Sequence, residues 1–209
     1  MKILTEHESK KLLAEYGIPV TREAVAGSRE DALLLAYKIG FPVAMKISSQ
    51  DIAHKNAAGC VLLDVGVQNV YAAFETIVGN AKKHTPDARI DGVLVQEMVP
   101  RGTEIVIGVK RDPQFGHAVM FGIGGVFVEV LDDVSFRIVP LTKWDAIEMI
   151  EEIRGRLILT GCDVGAIVDT ILKVSEMAAE GNISELDINP LVVCERGVVA
   201  VDAHAILEG

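Results

Sequence analysis

The stretch that decides the fold lies near the C-terminal end of the chain: Ser184-Glu185-Leu186-Asp187-Ile188-Asn189-Pro190-Leu191. Polar and apolar residues alternate in it, as they do along a β-strand that has only one face in a core. Asp187 and Asn189 are two positions apart and therefore point to one face of the strand. Leu186 and Ile188 point to the other face. The sequence thus predicts a strand with one polar and one apolar face.

A hairpin is predicted directly after this strand. The apolar residues that follow turn at Glu195-Arg196-Gly197 and continue as a second apolar run, which is typical of two strands joined by a short loop. A three-residue loop would place Leu191 opposite Val201. It would also bring Asp202 back beside Asn189.

Three oxygen-bearing side chains would then converge, those of Asp187, Asn189 and Asp202. Two carboxylates and a carboxamide without His or Cys form an oxygen-only set, which suits a magnesium ion that keeps some of its waters and holds nucleotide phosphates. The alternative is that Asp187 caps a turn and Asp202 is a solvated strand end. The spacing alone leaves both interpretations open.

The composition limits the class of protein. The chain has 209 residues, 50% of them hydrophobic, which fits one compact domain or two small lobes with a real core. The net charge is -10 and the bases form no cluster beyond Lys10-Lys11 and Lys82-Lys83, so nucleic-acid binding is not expected. The N-terminus does not resemble a signal peptide and the apolar runs are too short for a membrane span. We therefore expect a cytoplasmic protein that does not bind membranes.

Cap signals and apolar periodicity predict the elements. Helices are expected after Thr5, Ser28, Thr142 and Asp163, each of which begins a helix-capping pattern, and over 70–81. Strands are expected at 43–47 and 61–65, so the first part of the chain alternates helix and strand. After Gly92 five strands follow without a helix and should pair antiparallel; they cover 93–99, 104–110, 117–121, 126–131 and 136–141.

Several polar or small residues in these elements are candidates for ligand contacts. Lys46 lies inside an apolar strand and could meet a phosphate or point to solvent. The polar loop 48–60 is rich in small residues, which let backbone N–H groups approach phosphate oxygens. His54-Lys55 within that loop could supply a nucleophile or charge, or have no role.

Two features in the second half of the chain also leave alternatives open. Gly122-Ile123-Gly124-Gly125 indicates either a close backbone approach to a ligand or a bulge. Arg137 in an apolar strand could hold a phosphate or pair with Asp132 or Asp133.

Taken in order, these residues resemble a known family. The order is Lys46, His54-Lys55, Gln96-Glu97, the segment from Gly122 to Arg137, and Leu186-Asp187-Ile188-Asn189-Pro190-Leu191. It is similar to that of the ATP-grasp nucleotide-binding (beta) subunit of the ADP-forming acyl-CoA synthetases, which include acetate–CoA ligase and are related to succinyl-CoA synthetase. The resemblance covers essentially the whole chain, and the glycine-to-arginine and DINPL segments are specific together.

This resemblance implies an α+β ATP-grasp fold, in which two lobes with largely antiparallel sheets clamp a nucleotide. The implied organisation is an N-terminal docking helix at 1–20, a smaller lobe at 21–91 and a larger lobe with the metal site at 92–209. The implied magnesium ligands are Asn189, Asp202 and Asp187. The implied nucleotide-binding residues are Lys46, Lys55, Gly59, Gln96, Glu97, Val99, Glu104, Gly124 and Gly125. The implied catalytic residues are His54, Lys46 and Arg137.

The implied activity is reversible formation of ATP, carboxylic acid and CoA from acyl-CoA, ADP and phosphate, with Mg2+ and with a phosphohistidine on an alpha-type CoA-binding partner subunit. Gln96 and Glu97 would edge the adenine, Glu104 would bind the ribose, and His54 would match a second phosphoryl carrier. The loop 56–61 lacks the aspartate and the second glycine of the family pattern, and 154–161 differs from its usual connector. The alternatives are a non-catalytic nucleotide-binding regulatory module or another ATP-grasp ligase, such as a carboxylate-amine ligase.

Overall fold

The computed structural model of the chain describes residues 1–52, 54–124, 132–180 and 182–208. The chain divides into two compact units. One consists of Met1–Val20 with Pro100–Gly209, and the other of Thr21–Val99. Each unit contains its own cluster of buried hydrophobic residues. None of the described helices has both the length and the apolar character that a membrane crossing requires.

The described residues form the following elements in chain order. The strands are β1 (Lys2–Ile3), β2 (Glu23–Ala26), β3 (Val43–Ser48), β4 (Val61–Val65), β5 (Gly92–Glu97), β6 (Thr103–Asp112), β7 (Gly116–Ile123), β8 (Val134–Ile138), β9 (Ile183–Val193), β10 (Val198–Ala200) and β11 (Ala203–Leu207). The helices are α1 (Glu6–Glu15), α2 (Arg29–Ile39), α3 (Val70–His84), α4 (Lys143–Glu152) and α5 (Val164–Ala179).

In the unit made of the chain ends, a seven-stranded sheet has the order β1-β11-β9-β6-β7-β8, and β10 pairs with β9. Neighbouring strands are antiparallel. Helix α1 packs against β11, α5 against β6, β7 and β9, and α4 against β8 and α5. The apolar side chains of the helices and of one sheet face form one cluster. The helices thus cover one face of this sheet.

In the Thr21–Val99 unit, the order of the antiparallel four-stranded sheet is β2-β5-β3-β4. Helices α2 and α3 pack on each other and on the sheet. The odd-numbered residues of β3 and β5, such as Met45 and Val95, belong to the buried cluster beneath the helices. The even-numbered residues therefore point to the opposite face.

Local signals explain where the helices begin. Thr5 and Glu8 form a reciprocal capping box at α1, and Thr142 and Asp145 form another at α4. Ser28 accepts a hydrogen bond from the Asp31 N–H at α2, and Asp163 accepts one from the Ala166 N–H at α5. Each side chain satisfies an N–H group that the first helical turn leaves without a partner. The four helix starts predicted from capping residues are confirmed.

The predicted pairing of consecutive strands is wrong at two places. Strand β5 was expected to pair with the strand at 104–110, but it pairs with β2 and β3. The compact unit therefore extends to Val99, past the predicted boundary at residue 91, and residues 1–20 belong to the same unit as 100–209. Strands β6 and β7 pair as predicted, but β7 pairs directly with β8, although a strand at 126–131 was expected between them. The predicted strand at 126–131 lies outside the described residues.

The hairpin of β9 and β10 differs from the prediction by one residue. Its turn contains two residues, because the Cys194 N–H donates to the Gly197 carbonyl at 3.1 Å. Gly197 has a φ of +78°, a conformation that glycine adopts without strain. Leu191 therefore lies opposite Ala200, not Val201.

We predict that Ile188→Ala strongly destabilises the protein. Ile188 is 0% exposed in the cluster beneath the helices, and truncation of such a side chain costs about 2–5 kcal/mol because it leaves a cavity. The measurement is the free energy of unfolding in urea. Ile138→Ala is the matched control, since Ile138 on β8 is 49% exposed and its truncation should cost about 1 kcal/mol or less. Equal losses in the two variants would contradict the assigned faces of the sheet.

Candidate functional site

The first candidate site lies on the face of the seven-stranded sheet that carries no helix. On β9, Leu186 and Ile188 are buried under the helices, at 1% and 0% exposure. Asp187 is half-buried and Asn189 is exposed. Since side chains alternate along a strand, Asp187 and Asn189 share the face opposite to the core. This placement agrees with the sequence pattern.

The returning strand brings Asp202 to the same face. The Asn189 N–H donates to the Asp202 carbonyl at 3.1 Å, and His204 lies opposite Asp187 in the register of β11 and β9. Residues directly opposite each other in an antiparallel pair place their side chains on one face. The structure thus brings together Asp187, Asn189 and Asp202. His204 is a neighbour of this set that the sequence alone did not single out.

The electrostatics of this set favour a bound cation. Burial raises the pKa of Asp187, the negative charges of Asp202 and Glu185 raise it further, and His204 acts in the opposite direction. Two neighbouring carboxylates repel each other when both are charged, and a cation between them removes that cost. Within the described residues no group of three or more His, Cys, Asp or Glu side chains could hold a metal ion. The set instead combines two carboxylates with a carboxamide, a donor chemistry that fits Mg2+.

A cavity of about 250 Å³ begins at Asp187, and all of its lining residues belong to the unit of the chain ends. Its lining includes Gly108, Met120 and Phe136, which follow Asp187 in one row across β6, β7 and β8. Gly108 contributes no side chain, so the sheet is open at this point. Phe136 is 57% exposed. The cavity therefore has an apolar wall and three charged lining residues, Asp187, Glu185 and Lys110.

The structure gives a reason for the glycine at position 124. The Gly124 N–H donates to the Glu104 carbonyl at 2.7 Å, and a Cβ at Gly124 would lie 3.0 Å from the carbonyl carbon and oxygen of Glu104. A glycine is needed here because two backbones approach closely. The side chain of Glu104 is exposed. Gly125, which the sequence also marked for the nucleotide, lies outside the described residues.

Arg137 has a different environment from the one predicted. Its guanidinium donates to the Glu152 carboxylate at 2.5 and 3.0 Å and approaches Glu148 at 3.5 Å, both on α4. The alternative in which Arg137 pairs with Asp132 or Asp133 is wrong, because Glu152 and Glu148 accept the bonds of its guanidinium. Asp133 accepts the backbone N–H groups of 154 and 155.

The face on which Arg137 lies follows from these contacts. Its strand neighbour Ser135 also donates to α4, at the Met149 carbonyl, so both side chains point to the helix-covered side of β8. Asp187 lies on the other side of the sheet. The structure therefore does not bring Arg137 to the acidic set. The two glutamates, four residues apart on a predicted helix, were the signal that could have identified its partners.

We predict a pH-dependent effect of Arg137→Met. The hydrogen bond and charge of Arg137 lower the pKa of Glu152, so the pair stabilises the fold above the ordinary glutamate pKa, and this stabilisation is lost as the pH falls through the lowered pKa. The variant should therefore have a lower urea midpoint than the wild type at pH 7, and the gap should close as the pH falls through the lowered pKa of Glu152. Arg101→Met, at an exposed arginine, is the control. A gap that is unchanged in acid would contradict the ion pair.

A second candidate site lies in the Thr21–Val99 unit. Lys46 is only 5% exposed, so the interpretation of a lysine on a solvent face is wrong. Ala44 pairs with Gln96 and Lys46 with Leu94, which makes Lys46 and Gln96 diagonal neighbours on the sheet face opposite to the helices. Gln96 is 1% exposed. A buried ammonium and a buried carboxamide are thus placed side by side.

Glu97, which follows Gln96, is bound by Arg22 of the same unit. Glu97 accepts the backbone N–H and the Nε–H of Arg22, both at 2.7 Å. Val99, the next residue that the sequence marked for the nucleotide, is half-buried. The carboxylate of Glu97 is therefore engaged by an arginine of its own unit.

The loop between β3 and β4 is tightly turned. The Ala58 N–H donates to the His54 carbonyl at 3.1 Å and the Cys60 N–H to the Lys55 carbonyl at 2.8 Å. Asn80 of α3 donates to the Gly59 carbonyl at 2.8 Å, and Gly59 has a φ of +65°. The side chain of His54 is exposed. The end of the loop is thus held by α3, while its histidine remains accessible.

Comparison with known proteins places this architecture in a family. The family model described as an ATP-grasp domain matches residues 1–207. The chain belongs to the ATP-grasp family. This agrees with two units that each combine helices with an antiparallel sheet, and with the expected α+β class.

The relatives define the group within this family. The chain is 47% identical over 212 residues to the beta subunit of acetate–CoA ligase [ADP-forming] I from Pyrococcus furiosus, with 98% of this chain and 91% of that subunit covered. It is 44% identical to acetate–CoA ligase [ADP-forming] I from Archaeoglobus fulgidus, of which it covers 30%. Its group is therefore that of the ADP-forming acetate–CoA ligase beta subunits, which in some relatives are part of a longer chain.

Solved structures of one relative are also similar. Acetyl-coenzyme A synthetase 1 from Ca. Korarchaeum cryptofilum, in complex with coenzyme A, Ca-AMPCP and HgCl+, matches with a TM-score of 0.96 and 43% identity, covering 99% of this chain and 94% of that one. The same protein with coenzyme A and Mg-AMPPCP, its phosphohistidine segment pointing towards the nucleotide-binding site, matches with a TM-score of 0.86 and 40% identity, covering 99% and 93%.

Proposed function

We propose that this chain binds ADP or ATP with Mg2+ as the nucleotide-binding subunit of an ADP-forming acyl-CoA synthetase. The reaction converts acyl-CoA, ADP and phosphate reversibly into a carboxylic acid, ATP and CoA. The observation that carries the proposal is the oxygen-only set Asp187, Asn189 and Asp202 on one open sheet face. A relative with the same fold binds Mg-AMPPCP.

In the unit of the chain ends, Asn189 and Asp202 would hold Mg2+, with Asp187 beside them. Bound Mg2+ would supply a positive charge that neutralises the phosphate oxygens during phosphoryl transfer. Glu104 is exposed on β6 and would bind the ribose hydroxyls. The cavity next to Asp187 leaves room for the group that exchanges a phosphoryl with the nucleotide. Arg137 takes no part in this proposal, because α4 holds it on the other face of the sheet.

In the Thr21–Val99 unit, Lys46 would contact the nucleotide phosphates. Its ammonium is buried, and a fixed positive charge in a dry environment stabilises developing negative charge better than a solvated one. Gln96, Glu97 and Val99 would bind the adenine edge. The loop with Lys55 and Gly59 would close over the phosphates through its backbone N–H groups. An imidazole nitrogen of His54 would take the phosphoryl group from the phosphohistidine of an alpha-type partner, which is released as free histidine, and would pass it to the terminal phosphate oxygen of ADP.

We further propose that the chain works with an alpha-type CoA-binding subunit that carries the phosphohistidine. The beta-subunit relative and the longer single-chain relative support this, since both names describe an enzyme that must also bind CoA. The exposed position of His54 is compatible with access by a segment of a partner. The second candidate function is a nucleotide-binding module without catalysis, which the altered residues at 56–61 favour.

We predict that ADP binding to the wild type depends on Mg2+ and is weakened at least about tenfold by Asn189→Ala with Asp202→Ala, because an incomplete ligand set holds the metal poorly. Isothermal titration calorimetry with and without Mg2+ measures this. The matched control is Asn182→Ala with Asp169→Ala, two exposed residues of the same types in the same unit. Unchanged affinity in the site variant, or loss in the control, would refute the assigned ligands.

We predict that His54→Asn abolishes ATP formation in the presence of an alpha-type subunit, acyl-CoA, ADP and phosphate, while calorimetry shows wild-type ADP binding. The substitution removes the nucleophile but retains a side chain of similar polarity, and loss of a covalent carrier should lower the rate by more than about 10²-fold. His84→Asn, at an exposed histidine of α3, is the control. A wild type that binds ADP but never forms ATP with the partner would support the non-catalytic module instead.

A further inference from the structure

The helix α1 carries a buried ion pair. Glu6 and Lys10 lie one helical turn apart, their side chains are 3% and 1% exposed, and Lys10 Nζ donates to Glu6 Oε1 at 2.9 Å. An ammonium is strongly destabilising inside a protein unless charges and acceptors surround it. The burial of this ion pair is therefore not explained by the stability of α1 alone.

A further reason for this burial is indicated by another acceptor of Lys10. Its Nζ also donates to the Val201 carbonyl at 3.0 Å, across 191 positions of sequence. Val201 lies in the interruption between β10 and β11, where the chain leaves regular pairing, and it directly precedes Asp202. The ammonium thus holds the peptide group that joins Val201 to Asp202.

The same N-terminal segment holds the backbone on both sides of this peptide. The Ala200 N–H donates to the Pro19 carbonyl at 2.8 Å. The Ala205 N–H donates to Ser9 Oγ at 3.1 Å. On the far side, the Val201 N–H donates to the Pro190 carbonyl at 3.0 Å. The residue that bears the carboxylate is therefore placed by contacts from α1 and from β9 together.

We propose that Lys10 is a positioning residue for the metal site: through the Val201 carbonyl, its buried ammonium fixes the backbone from which Asp202 reaches the position opposite Asn189. Glu6 compensates the charge of Lys10. The inference rests on the proposed function, in which Asp202 is a magnesium ligand. Groups that orient metal ligands without touching the metal commonly contribute about 10- to 100-fold to metal affinity.

The test separates positioning from stability by means of two variants. Lys10→Met removes the ammonium and leaves the Glu6 carboxylate buried without it, so both the stability and the Mg2+ affinity should fall. Glu6→Leu with Lys10→Met removes both charges, which restores much of the stability, as is seen when buried pairs are replaced by apolar residues. The double variant still lacks the donor to Val201, so its Mg2+ affinity should remain about 10- to 100-fold below that of the wild type.

The measurements are the urea midpoint and the affinity for Mg2+ in the presence of ADP, determined by calorimetry, with Mn2+ electron paramagnetic resonance as a readout independent of activity. Lys173→Met is the matched control. Lys173 Nζ also donates to a carbonyl of the N-terminal segment, that of Gly17, at 2.7 Å. This bond is to Gly17 and not to the peptide group between Val201 and Asp202. We expect wild-type Mg2+ affinity in this control.

The outcomes distinguish a failure of the positioning role of Lys10 from a failure of the proposed function. A double variant that is stable and binds Mg2+ as tightly as the wild type overturns the positioning role, as does an affinity that recovers in step with stability. A wild type without Mg2+-dependent ADP binding overturns the proposed function itself, and the positioning role with it. If Lys10→Met does not fold, the double variant decides alone.

Discussion

The alternation of side chains along β9 is the constraint on which the rest of this structure depends. The strand pairs with β6 on one side and with β10 and β11 on the other, so its register fixes the positions of all three. Leu186 and Ile188 on one face complete the core beneath the helices, and Asp187 and Asn189 on the opposite face form the oxygen set. A slip of one residue would exchange these faces. The packing of Leu186 and Ile188 in the core therefore also fixes the positions of the polar side chains on the opposite face.

The features that could be predicted from the sequence are the ones set by short-range chemistry. A capping serine, threonine or aspartate acts within one helical turn. The sequence could therefore predict four helix starts, those at Thr5, Ser28, Thr142 and Asp163. The two-residue period of β9 acts within a single strand and placed Asp187 and Asn189 together. The resemblance added the family, which the comparison over residues 1–207 bears out.

What could not be predicted depends on contacts between distant parts of the chain or on one backbone angle. Strand β5 is followed directly by β6, yet it pairs with β2 and β3, and nothing in its own residues distinguishes these partners. The positive φ of Gly197 shortens the hairpin turn by one residue and moves Ala200 opposite Leu191. The glutamates that hold Arg137 are 11 and 15 positions away. The contact from Lys10 to Val201 spans almost the full chain, and a lysine on an amphipathic helix gives no sign of it.

The crowding of negative charge around Asp187 has a consequence for how the protein responds to its surroundings. A half-buried carboxylate next to Asp202 and Glu185 raises the free energy of the folded chain in the absence of a cation, and the unfolded chain, whose carboxylates are solvated and far apart, does not share this cost. On the proposed function, Mg2+ would bind this set in the folded form alone, and heat resistance would become a function of Mg2+ concentration. A chelator would then act on this protein as a mild denaturant.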